Sequence, residues 1–234
     1  MRSLLVIVTC ILISSCATSQ KTIPGTDIPE KVFEPNTIER STPARSEQDL
    51  GKAIGSLNRY LGSYPPRFRD VEEREEIYKK WLDIQSDVVA HNRNAGDTEK
   101  SLLFMAEIHR QGHNMDVRGA AEKADKALSL CIEKFPNSKP CHLSATYFYL
   151  SIGPNYLNKA KSSLEKLREL YAPENNPEVE AGYVFFYMYS RDKESALKQI
   201  DSYLSEFPNS SRAKDFRVFQ KELLKTDTIE YREN

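Results

Sequence analysis

The chain has 234 residues, 39% of them hydrophobic and 29% charged, with 33 Lys+Arg set against 34 Asp+Glu. A net charge of −1 lacks the basic excess of a nucleic-acid binder. Nine glycines are sparse for a nucleotide-binding fold, no GxGxxG or GxxxxGK(S/T) occurs, and four cysteines are too few for a disulfide scaffold.

Residues 1–20 read MRSLLVIVTCILISSCATSQ. Arg2 and the α-amino group supply a short positive region, and Leu4–Ile13 is an almost wholly apolar run. About ten apolar residues are too few to span a bilayer, which needs roughly 20, but they suit the hydrophobic region of a secretory signal. The run ends in Ile13-Ser14-Ser15-Cys16, which resembles the lipobox of bacterial lipoproteins. The resemblance implies that residues 1–15 are a signal peptide and that Cys16 is acylated and becomes the first residue of the mature chain. Several acyl chains anchor stably where one is marginal. Ala17 rather than Asp follows the cysteine, and in a Gram-negative host that resemblance favours the outer membrane, with the domain facing the periplasm. Loss of Arg2 with the signal leaves 32 positive against 34 negative charges.

Residues 16–45 hold the lipidated cysteine and a stretch with Pro24, Pro29, Pro35 and Pro43 and no apolar period. Such a segment cannot bury enough surface to offset its ordering entropy, so a flexible tether is expected. From Ser46 the pattern turns to apolar residues three and four apart. Turn residues punctuate it at Tyr64-Pro65-Pro66, Gly112-His113-Asn114, Phe135-Pro136-Asn137-Ser138, Gly153-Pro154-Asn155, Pro173-Glu174-Asn175 and Phe207-Pro208-Asn209-Ser210. The spacing predicts helices over about 46–63, 68–91, 98–111, 117–134, 140–151, 155–171, 177–190, 192–206 and 210–225. Residues 226–234 read as a polar C-terminal tail.

A repeat underlies this pattern. Aligned on Ala53, Ala124, Ala160 and Ala196, the copies carry Leu57, Leu128, Leu164 and Ile200 four residues later, then Tyr60, Cys131, Leu167 and Tyr203 at seven. Tyr64, Phe135, Tyr171 and Phe207 follow at eleven, with Pro65, Pro136, Pro173 and Pro208 just beyond. The last three copies stand 36 residues apart. A small alanine lets antiparallel helices approach, the +4 and +7 residues share its face, and the aromatic closes the end. The pattern resembles the tetratricopeptide repeat, a helix–turn–helix unit of about 34 residues, over residues 97–225 closely and 46–91 loosely. The resemblance implies an all-α fold: an antiparallel helix-hairpin, tetratricopeptide-like solenoid over 46–225. Between Pro65 and Ala124 the copy is degenerate. Tyr78, Leu82 and Val89 fit but no Pro follows, so one long helix is expected there.

Residues that could carry chemistry are few. His109 and His113 have the four-residue spacing of a zinc pair, but Gly112 is expected to interrupt the helix between them and no HExxH is completed. No nucleophile elbow, CxxC or paired-carboxylate signature occurs, so neither metal, cofactor nor catalysis is expected. Cys131 and Cys141 lie five residues either side of Pro136, at similar heights on adjoining helices. They are a candidate disulfide in an exported protein, with two core thiols as the alternative. Tyr147, Tyr183 and Tyr187 lie on first helices, which line the concave groove in the architecture the resemblance implies. They are the partner-binding candidates, with core packing the competing role.

The function expected from this set is a non-catalytic, lipid-anchored adaptor of the bacterial envelope. It would bind a protein or peptide partner in its groove, for outer-membrane assembly, secretion or cell-wall maintenance, and no nucleic acid. The alternative is an accessory ligand-binding component of an envelope transport system, which a closed apolar pocket would favour.

Overall fold

Helix starts are set by local chemistry. The side chains of Ser46, Asp70, Thr98, Asn176 and Asp192 each accept a hydrogen bond from a backbone N–H two or three residues on, satisfying donors that an α-helix leaves open at its first turn. The computed structural model describes residues 41–226 and Ile229. The expected signal peptide, Cys16 and the expected tether as far as residue 40 lie outside the described residues. Among the described residues there are nine α-helices and no strand: α1 Glu47–Leu61, α2 Val71–Ala95, α3 Glu99–Asn114, α4 Ala120–Lys134, α5 Lys139–Ser151, α6 Leu157–Tyr171, α7 Pro177–Tyr189, α8 Lys193–Glu206 and α9 Ala213–Leu223. Consecutive helices pack against one another from α1 to α4 and from α6 to α9, the helix-hairpin fold that the repeat implied. No helix among them is long and apolar enough to cross a membrane. The chain forms two compact units that divide at Cys141 and His142.

In the N-terminal unit the largest buried side chain is Trp81 of α2, which has no exposure and donates its indole Nε1–H to the carbonyl of Ile108 on α3 at 2.8 Å. Gly112 is what admits it. A Cβ at Gly112 would stand 2.6 Å from Trp81 Cζ2, so any larger residue would drive α2 and α3 apart. The expected break at Gly112 is therefore corrected: α3 runs through it to Asn114. Gln111 and Asn114 of α3 donate to the carbonyls of Ile54 and Leu61, tying α3 to α1 through buried polar links.

Two repeat registers expected in this unit are also corrected. In α1 the buried stripe is Leu50, Ile54, Leu57 and Leu61, whereas Ala53 is half-buried and Tyr64 is 53% exposed. In α2 it is Ile77, Trp81, Ile84 and Val88, one residue off the expected Tyr78, Leu82 and Val89. Both stripes keep the spacing of four, three and four residues. The anchor position is simply not an alanine there, because Leu50 and Ile77 fill it.

The fold begins slightly before the expected 46–225 domain. The backbone N–H of Ala44 donates to Asp87 Oδ1 at 3.0 Å, and the Arg45 guanidinium bridges Asp87 and Asp83. Asp87 is wholly buried, so this clamp on α2 satisfies a carboxylate that would be costly alone.

In the C-terminal unit, Ala160, Leu164 and Leu167 of α6 and Ala196, Ile200 and Tyr203 of α8 are buried in the expected columns. They face α7, which is buried nearly all round, from Val179 to Val184 and at Met188. Gly182 allows this, since a Cβ there would meet Leu164 Cδ2 at 2.6 Å. α5, α7 and α9 share the other layer through Tyr147, Phe185 and Phe216. Tyr203, Phe207, Phe216 and Phe219 close the end of the unit with edge-on and tilted ring contacts. The polar tail expected from residue 226 is corrected at its start: Thr226 accepts a hydrogen bond from Lys193, and Ile229 is 5% exposed in the α7–α9 core.

Ala160→Leu and Ala196→Leu each place a branched chain at a fully buried crossing, and each is expected to cost about 1–3 kcal/mol of stability. Ser162→Leu, on the exposed face of α6, is expected to change it by less than about 0.5 kcal/mol. Thermal unfolding of the three variants checks the register, and equal shifts would overturn it.

Candidate functional site

The three tyrosines expected to line a groove take different places. Tyr147 on α5 is half-buried and its hydroxyl is already engaged, donating to the Glu178 carbonyl at 2.8 Å and approaching Glu178 Oε2 at 3.2 Å. Burial pushes that phenol well above its usual pKa. Tyr183 on α7 is 4% exposed and packs against α6 with Leu164, Leu167 and Val179. It is a core residue, corrected from the groove, because the Gly182 approach draws this part of α7 onto α6. Tyr187, one turn further, is half-buried beside the rings of Tyr183 and Phe186.

Around these tyrosines stand two charged stations. At the first, Arg212 at the head of α9 donates through Nη2 to Glu178 Oε2 at 2.9 Å, and its guanidinium lies 5.6 Å from both the Tyr147 and the Phe185 ring centroids. Its buried Nε–H has no hydrogen-bond partner among the described residues. The Glu178 side chain is 44% exposed and that of Arg212 25%, so this station faces solvent in part. At the second, Arg168 of α6 holds the buried Glu180 of α7 by a two-pronged pair at 2.9 and 2.5 Å and lies 3.6 Å from the Tyr183 ring centroid. Gln199 of α8 completes it at 2.8 Å from Glu180 Oε2. Burial raises the Tyr183 hydroxyl to about 12, so both Tyr147 and Tyr183 remain neutral hydrogen-bonding groups at any physiological pH.

Arg212, Glu178, Arg168, Glu180 and Gln199 escape sequence reasoning. Their partners lie 12 to 34 residues away, beyond any helical spacing. Glu178 and Glu180 left a sign, as acidic residues in a first helical turn behind Asn-Pro. This arrangement can hold a polypeptide by hydrogen bonds and ring contacts.

The candidate metal and redox residues sit in the N-terminal unit. His109 and His113 both lie on the unbroken α3. Among the described residues no group of three or more His, Cys, Asp or Glu is placed to hold a metal ion. Burial and the nearby Lys123 charge hold His109 at a pKa of about 4, and its Nδ1 is buried without a hydrogen-bond partner among the described residues. Cys131 and Cys141 are joined as a disulfide with Cα atoms 5.8 Å apart, in a cluster with Leu102, Leu103 and Phe135.

No protein-family model matches this chain, and no curated protein does. Its structure is similar to that of a thermophilic TPR protein from Thermus thermophilus, with a TM-score of 0.51 and 20% identity over 77% of this chain and 100% of that one. At this identity the likeness shows the fold: helix hairpins of the tetratricopeptide type.

His109 carries a pH dependence of stability. Its folded pKa of about 4 lies below the 6.5 of an unperturbed histidine, so as pH falls from 6.5 the unfolded chain takes up a proton that the folded chain refuses. The contribution is intact above pH 6.5 and is lost towards pH 4, by about 3 kcal/mol over the whole window. Urea unfolding at pH 7 and pH 4.5 is expected to show a smaller drop for His109→Leu than for the unaltered chain. Identical drops would mean that His109 is not sheltered.

Proposed function

We propose that this chain is a non-catalytic, lipid-anchored adaptor of the bacterial envelope. Its helix-hairpin domain holds a protein or peptide partner against the α5–α7 layer. The observation that carries the reading is the first charged station: Glu178, Arg212 and the half-buried Tyr147 meet at one partly exposed place. Phe185, two turns on from Glu178 along α7, adds a half-buried ring edge-on to Tyr147. Tyrosine and arginine supply large contact area and directional hydrogen bonds, which is why they dominate binding energy at interfaces. The hairpin fold shared with a TPR protein supports a scaffold role, and Ile13-Ser14-Ser15-Cys16 supports the anchor. Ala17 behind the cysteine supports attachment at the outer membrane on the periplasmic side. Tethering would raise the local concentration of the domain at the membrane, so a modest intrinsic affinity suffices.

Two measurements test this. Cys16→Ser is expected to leave the precursor uncleaved and to abolish labelling by a fatty-acid analogue. Normal processing and labelling would remove the anchor from the reading. Arg212→Met keeps the aliphatic length but loses the guanidinium of the station, so it is expected to lower recovery of in-cell crosslinked partners by about tenfold or more while costing less than about 1.5 kcal/mol of stability, because Glu178 stays partly exposed. Tyr183→Ala is the folding control, since truncating a core ring costs about 3–5 kcal/mol. If partner recovery falls only in step with unfolding across both variants, the α5–α7 layer is not the binding face.

A further inference from the structure

The last helix carries a surface that neither station explains. α9 buries Ala213, Phe216 and Leu223 on its inner side. At 100° per residue its outer side, over an arc of about 100°, holds Lys214, Arg217, Val218 and Lys221, and Leu224 and Lys225 follow directly behind its last turn. All six are exposed, and no acid lies within the arc. Asp215 and Glu222 stand at its flank and are half-buried, with Glu222 bound to Lys225 at 2.6 Å. Val218 at 53% and Leu224 at 67% are two of only four large apolar residues exposed among the described residues. Four cations framing two aliphatic chains, on a chain whose overall charge is −1, form a local segregation rather than a reflection of composition.

We infer that this face of α9 docks on the surface of an anionic phospholipid bilayer. The cations complement lipid phosphates, and their long stems let the charges reach headgroups while Val218 and Leu224 enter the acyl boundary. Each such contact is weak and screened by salt. That weakness suits a surface already held nearby, and the inference in this respect rests on the anchor proposed at Cys16. Several acyl chains already hold the chain at the bilayer, so the basic contact contributes orientation rather than attachment. Docking through α9 would orient the C-terminal unit at the membrane instead of leaving it free on its tether.

The test reads the face itself, independently of acylation. An environment-sensitive fluorophore is attached through Val218→Cys in the full chain carrying Cys10→Ser and Cys16→Ser, and vesicles of phosphatidylglycerol with phosphatidylcholine are compared with phosphatidylcholine alone. A blue shift is expected with the anionic vesicles only, reversed at high salt, and weakened about tenfold or more by Lys214→Glu with Lys221→Glu. No shift, an equal shift with both vesicles, or a shift that survives charge reversal would overturn the inference. So would in-cell crosslinking from position 218 to an acidic protein in place of lipid. Loss of processing in Cys16→Ser with no shift here would leave the anchor standing and α9 undocked. A shift here with normal processing of Cys16→Ser would leave the face without its anchor.

Discussion

Close approach of antiparallel helices at a residue with little or no side chain is the constraint on which the rest of this molecule depends. Ala124, Ala160 and Ala196 are wholly buried, and Gly112 and Gly182 leave room for Trp81 and Leu164 where a Cβ would collide. Once the axes are that close, residues four and seven positions on have no direction but inward. Leu128, Leu164 and Ile200, then Cys131, Leu167 and Tyr203, are buried as a consequence. Interiors pack at crystal-like density, so a methyl group too many at the crossing is felt along both helices.

Polar interactions then fix which helix meets which. Asp87 and Glu180 are buried carboxylates that apolar packing alone would penalise heavily, and each has its arginine, Arg45 and Arg168. Such pairs add little net stability against an apolar substitute, but an alternative register would strand the charge. Trp81, Gln111 and Asn114 do the same with neutral groups, because each reaches a backbone carbonyl on another helix. The clamp at Asp87 also has a positional consequence. It joins the chain that arrives from the N-terminus to the side of α2, at Ala44 and Arg45, ahead of the first helix.

What remains for other molecules is the surface that this internal pairing does not consume. Tyr183 and Glu180 are spent on the fold, whereas the Glu178–Arg212 station is partly open and the outer side of α9 is exposed throughout. Two such surfaces in the same C-terminal unit, one aromatic and hydrogen-bonding and one cationic, suit different contacts. An adaptor tethered by lipid could engage a polypeptide with one and lie against headgroups with the other.

Sequence by itself determined the helices, because the apolar period, the capping residues and the Pro-Asn-Ser turns are all local signals that act within a few residues. It also determined the hairpin fold and the alanine columns of α4, α6 and α8, since small residues recurring at 36 have few other physical uses. The registers of α1 and α2 needed tertiary structure, for there the crossing position holds Leu50 or Ile77 and identity no longer marks it. So did the role of Gly112, which reads locally as a break and acts globally as the seat of Trp81. The tyrosines show the division most plainly. Tyr147, Tyr183 and Tyr187 share one residue type and first-helix positions, and only the approach of α6 to Gly182 and the reach of Arg212 from α9 decide which is core, which is tied and which is left half-open. Those forces act across 18 positions from Leu164 to Gly182 and 65 from Tyr147 to Arg212, and a pattern that decays over one or two helical turns holds no record of them.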